Sequence, residues 1–140
     1  MAELGRTAFV LEVVTPQRLL VSEEVGELVA PGSEGYFGVL PGHTPFMTTL
    51  KIGELTYWRG REERSLAVSW GYAEVGPERV VVLAEMAERA EEIDVERAEA
   101  ARRRAEERLR LWGDETVDFA RAEAALQRAL TRLTVAAKGR

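Results

Sequence analysis

Cysteine is absent from the 140 residues, which excludes disulfides and thiolate chemistry. With a single histidine, His43, a zinc site of the usual nitrogen and sulfur ligands cannot be assembled either. Long apolar runs are also missing. No stretch approaches the roughly 18 residues that suggest a membrane span, and the opening "MAELGRTAFVLEVV" lacks the basic start and apolar core of a secretion signal. These absences predict an intracellular protein, soluble or peripheral to a membrane. Positive charge is not in excess: the formal net charge of -5 argues against a general nucleic-acid binder, which needs surplus Lys and Arg to displace counterions from phosphates. The length suits one compact core, or a core with an appended element, and excludes two large domains.

Proline disappears part-way along the chain. All five prolines and ten of the twelve glycines lie before residue 84, and there the short β-prone runs "TAFVLEVV", "VGELVA", "LTYWRG", "SLAVSWGYAEV" and "RVVVLA" recur between turn signals. Closely spaced short strands of this kind predict an antiparallel β-sandwich or barrel over residues 1–84. Alternation marks Phe9, Leu11 and Val13, and again Leu66, Val68 and Trp70, as core positions.

Residues 85–140 consist largely of strong helix formers, with thirteen acidic and twelve basic side chains. Gly113-Asp114 divides this segment into two helices. Val95, Ala98, Ala101, Ala105, Leu109 and Trp112 form an apolar stripe on the first, and Phe119, Ala122, Leu126, Leu130, Leu133 and Ala137 form one on the second. Asp94 is the expected N-cap and Gly113 the expected left-handed residue past the first helix. The short connection predicts an antiparallel hairpin. The fold class read from the sequence is therefore α+β: an N-terminal sandwich followed by a C-terminal two-helix antiparallel hairpin.

Few motifs carry chemistry. The stretch "GSEGYFGVLPGHTPF" is rich in glycine, but it is neither a dinucleotide fingerprint nor a phosphate loop, and no nucleophile motif accompanies His43. A structural or contact role for His43 is favoured over a catalytic one with Glu34 as its acid-base partner. The hairpin offers more. With Gly113-Asp114 as its tip, Arg97 falls level with Arg132, and Arg104 lies within a turn of Arg128. Four guanidinium groups on one side call for an anion, and a nucleotide polyphosphate suits their forked geometry. The alternative is ordinary surface pairing with Glu96, Glu99 and Glu123. Spacing alone leaves both open.

The segment "GYFGVLPGHTPF" resembles the corresponding loop of the epsilon subunit of F-type ATP synthases, called delta in mitochondria. The resemblance runs from about Phe9 to Val135 and includes the closing "ALQRALTRLTVA". It implies a noncatalytic central-stalk subunit bound to the gamma subunit, with the sandwich against the ring of c subunits. It also implies a hairpin that folds against the sandwich or extends toward the alpha and beta subunits to inhibit ATP hydrolysis. Bacterial members that bind ATP carry a motif of Ile or Leu, Asp, two variable residues, Arg and Ala. Here Ile93, Asp94, Arg97 and Ala98 fit it as "IDVERA", and Glu88, Arg104, Arg128 and Arg132 match further residues used for ATP. By the same resemblance Glu34, Tyr36 and His43 belong to the contact with the c-ring or gamma. ATP is then expected as a regulatory ligand and no cofactor as a requirement, with the subunit peripheral on the cytoplasmic face of the bacterial cell membrane. Two other readings stand beside it: the same rotor subunit without nucleotide binding, and a small hydrolase using His43 and Glu34.

Overall fold

A computed structural model describes residues 7–111 and 113–139. Eight strands come first: β1 (Phe9–Val14), β2 (Leu19–Val25), β3 (Glu27–Gly32), β4 (Gly35–Val39), β5 (Phe46–Leu50), β6 (Gly53–Arg59), β7 (Glu62–Val75) and β8 (Arg79–Arg89). A 3-10 turn over Ala90–Glu92 leads into helices α1 (Val95–Leu109) and α2 (Phe119–Lys138). The strands pair in the order β2-β1-β8-β7-β5-β3-β4, with β6 bridging β3 and β7. Together they wrap a single sandwich core, to which every strand contributes, from Phe9 and Leu20 through Leu28, Val39, Leu50 and Leu55 to Leu66 and Val80.

The sandwich is antiparallel with one exception, since β1 runs parallel to β8. The expected border after Ala84 falls inside β8, which continues to Arg89. The reason is local: Ala87 is still buried in the sandwich core, so the strand has a side chain to cover beyond the point where glycine and proline run out.

β7 shows why alternation misleads at one position. Leu66 and Val68 point into the core, as do Ala73 and Val75, so the alternation changes phase between them. The change occurs at Trp70 and Gly71, both at positive φ (48° and 135°). Trp70, expected in the core, is instead 41% exposed. Gly71 has no alternative, because a Cβ there would lie 1.9 Å from the carbonyl oxygen of Leu83. Ala67 and Ser69, which alternate with Leu66 and Val68 before the kink, face the helices.

The helices form an antiparallel hairpin whose base, Val95 with Val135, joins the sandwich through a small cluster of Ala67, Ala90, Ile93 and Ala136. Its seam differs from the expected stripes. Ala98 and Ala105 are buried on α1, and Ala122, Ala129, Val135 and Ala136 on α2, while Leu130 is 40% exposed. Leu126 and Leu133 are only half-buried. Alanine on both helices lets the backbones approach closely, and the leucines flank the seam rather than fill it. Trp112, assigned to the first stripe, lies outside the described residues. Asp94 caps α1 as expected, its carboxylate accepting from the Arg97 N–H at 3.1 Å. Gly113, at φ 92°, belongs to the connecting loop; α1 already ends at Leu109, with Arg110 as its C-cap.

Candidate functional site

The hairpin lies over the kinked part of β7 and β8, and the space between them is a cavity of about 220 Å³. Its floor is Val68 and Ser69 of β7 with Met86 and Glu88 of β8, and its walls are alanines of the two helices. Because the alanines fill so little volume, room remains for longer side chains to enter. Four arginines line it: Arg104 and Arg108 from α1, both exposed, and Arg128 and Arg132 from α2, both half-buried.

Their pairing is uneven. Arg132 forks onto Glu88, with Nε 2.7 Å from Oε1 and Nη2 donating to Oε2 at 3.0 Å. Both side chains are largely shielded, so this charge-assisted pair is the firm polar contact between α2 and β8. The Arg128 guanidinium lies 5.6 Å from the centre of the Trp70 ring, a cation–π contact with the residue at the kink. Among the described residues no carboxylate pairs with Arg104, Arg108 or Arg128. Their helical neighbours are already engaged: Arg102 holds Glu99 at 2.7 Å and Glu106 at 3.5 Å, and Arg110 holds Glu107 at 3.1 Å. The local pairing of the four expected arginines with Glu96, Glu99 and Glu123 is therefore not what the structure contains. The cavity thus has four arginines on its lining and one carboxylate, an excess of positive charge.

The structure gathers Glu88, Arg104, Arg128 and Arg132 in this cavity and leaves the other expected nucleotide residues at the hairpin base. Arg97 is exposed on the first turn of α1, two turns or about 10 Å along the helix from Arg104. Ile93 is buried in the cluster beneath the hairpin, Asp94 is the N-cap, and Ala98 is part of the seam. Sequence reasoning missed Arg108 and Trp70. Arg108 follows Arg104 by four residues and shares its face, which was a usable signal; Trp70 was hidden by the phase change in β7.

The sandwich residues are placed separately. Glu34 is exposed in the turn before β4, and His43 lies in the loop after it, so a strand of about 15 Å separates them. His43 Nδ1 lies 2.6 Å from its neighbour's carbonyl, Thr44 O, and its ring lies 6.3 Å from that of Phe46. The two are not an acid-base pair. Tyr36 is exposed, but its hydroxyl turns back to accept from the Glu54 N–H at 3.1 Å. Among the described residues no group of three or more His, Cys, Asp or Glu is placed to hold a metal ion. Among the described residues no helix is long and apolar enough to cross a membrane.

A β-sandwich carrying a helical hairpin, with an arginine-lined cavity where the two meet, defines a two-part architecture. Comparison with known proteins gives its family. The family "ATP synthase, Delta/Epsilon chain, beta-sandwich domain" matches residues 8–90, and "ATP synthase, Delta/Epsilon chain, long alpha-helix domain" matches residues 91–137. The ATP synthase epsilon chain of Geotalea uraniireducens is 54% identical over 128 residues, covering 91% of this chain and 93% of that one. ATP synthase epsilon chain 2 of Syntrophotalea carbinolica is 58% identical over 100 residues, covering 71% and 72%. A chain in the cryo-EM structure of the Euglena gracilis mitochondrial ATP synthase, OSCP/F1/c-ring in rotational state 1, superposes with a TM-score of 0.80 at 26% identity, over 94% of this chain and 82% of that one. The chain belongs to the delta/epsilon family of ATP synthase, as a noncatalytic subunit of the central stalk of the F-type enzyme.

Proposed function

We propose that the arginine cavity is a regulatory ATP site and that the nucleotide, bound without being hydrolysed, holds the hairpin against the sandwich. The observation that carries this reading is the convergence of Arg104, Arg108 and Arg128, without carboxylate partners among the described residues, beside the Arg132–Glu88 pair. The phosphates lie among Arg104, Arg128 and Arg132, with Arg108 at their side, and the adenine end points toward Ile93, Asp94, Arg97 and Ala98. Such a ligand touches α1, α2 and β8 at once, so it binds the closed hairpin only. At about 100 times its dissociation constant it adds about 2.7 kcal/mol to that state. An alanine seam closes with little apolar burial, at about 0.8 kcal/mol per methylene, so an increment of this size shifts the balance.

In the same reading the sandwich binds the gamma subunit and the c-ring, with Glu34, Tyr36 and His43 in that contact. The opened hairpin reaches the alpha and beta subunits and restrains ATP hydrolysis. The subunit then sits peripherally on the cytoplasmic face of the bacterial cell membrane. The Euglena assembly, which contains F1 and a c-ring, supports a place beside those parts of the complex. A second reading keeps the rotor role without nucleotide binding, and the Arg132–Glu88 pair favours it, since that arginine is already neutralised.

Isothermal titration of the whole chain with ATP separates the two. Arg104→Ala or Arg128→Ala should weaken binding about tenfold to a hundredfold, the loss of one charge-assisted hydrogen bond worth roughly 1.5 to 3 kcal/mol. Arg102→Ala, whose guanidinium is already held by Glu99 and Glu106, should leave it unchanged. No binding in the wild type would leave only the second reading, and equal affinity in wild type and Arg104→Ala would remove this cavity as the site.

A further inference from the structure

The hairpin meets the sandwich at a second polar point, six residues further along α2 than Arg132. In the last turn of α2, Lys138 Nζ lies 2.8 Å from Glu54 Oε2 on β6. That oxygen is closed off from solvent and accepts no hydrogen bond of good geometry, so the ammonium is what compensates its charge. The backbone of Glu54 is held in place from the other side. The Glu54 N–H donates to the Tyr36 hydroxyl, and the Tyr36 ring lies across β6 only because residue 53 is glycine: a Cβ there would come within 2.7 Å of both Pro31 and the Tyr36 oxygen. One residue beyond Lys138, Gly139 sits so close to Ala90 that a Cβ would lie 2.5 Å from the alanine methyl. The end of α2 is thus seated against a prepared surface.

We infer that Lys138 and Glu54 form a latch that keeps the C-terminal turn of α2 on the sandwich and sets how readily the hairpin opens when the arginine cavity holds no ligand. The inference rests on the proposed reading of the hairpin as a movable element. It carries an asymmetry. Removing the lysine leaves a shielded carboxylate unpaired in the closed state, whereas removing the carboxylate frees a lysine side chain that is 44% exposed and can be hydrated where it stands. The lysine variant should therefore open more than the carboxylate variant.

Amide hydrogen exchange on the full chain without nucleotide tests this. In the wild type, α2 should exchange faster than β7 and β8, by opening without unfolding. Lys138→Met should speed α2 exchange by about fivefold or more, Glu54→Gln should speed it less, and Lys138→Arg should stay near wild type, with the strand amides unchanged in all three. Unchanged α2 exchange in Lys138→Met overturns the latch alone. So does an equal acceleration of the strands, which marks a global effect. If wild-type α2 exchanges only as fast as the strands, the movable hairpin and its latch both fail.

Discussion

Tyr57 illustrates how one residue ties stability to pH. Its ring is buried in β6, and its hydroxyl donates to Glu23 Oε2 at 2.9 Å. Arg59 donates to the other oxygen of the same carboxylate at 2.5 Å. Burial first, and then the hydrogen bond to Glu23, push the Tyr57 phenol up to about 12. Unfolded, it would ionise near its ordinary value of about 10. The folded state thus binds the phenolic proton more tightly, and its contribution to stability is complete below pH 10 and is lost as pH rises through about 12. Ultraviolet titration should show a tyrosinate step close to that pH, coincident with loss of structure and absent from Tyr57→Phe. A Tyr57 that ionises at the ordinary value in the folded protein would refute this account.

At the level of single elements, both helices begin with the same device. Asp94 accepts from the Arg97 N–H and Asp118 from the Arg121 N–H, the latter at 3.0 Å. Asp94→Ala should lower hairpin stability by about 1 kcal/mol while Asp94→Asn changes it little, because asparagine offers the same acceptor. The urea dependence of helical ellipticity measures this, and equal losses in the two variants would mean that charge rather than capping matters at this position. The first cap was legible in the sequence because Asp94 directly precedes a periodic run; Asp118 was lost among Asp114 and Glu115. The helix seam was misread for a different reason. Periodicity weights large apolar residues and so selects Leu130, whereas close approach of two helices selects the alanines that large side chains would keep apart. Trp70 was misassigned because a non-glycine residue at positive φ leaves no pattern, although Gly71 beside it hinted at a break. In the cavity, Arg104, Arg128 and Arg132 could be brought together by counting turns from the hairpin tip. Their pairing could not, since it depends on which glutamates the other arginines occupy.

For the whole molecule, the division of the hydrophobic groups decides which part can stand alone. The main core draws on all eight strands and on neither helix. A chain ending at Ala90 should therefore fold and melt cooperatively, losing the helical signal and shifting its midpoint by only about 5 °C. A chain ending at Ala84 loses Ala87 from the core and the part of β8 that pairs with Leu66, Ala67 and Val68, and should not melt cooperatively. Calorimetry on the two truncations checks both statements, and similar melting would mean that the end of β8 is dispensable.

The alanine seam has a further consequence for solubility. If the two helices part from each other as proposed, the groups laid bare along their seam are methyls, those of Ala98, Ala105, Ala122 and Ala129. Water wets such surfaces with little penalty, and they offer few deep contacts to an unrelated chain. A hairpin built on leucine would hold more tightly but would emerge adhesive each time it opened. One built on alanine would part and reclose with less exposed apolar surface.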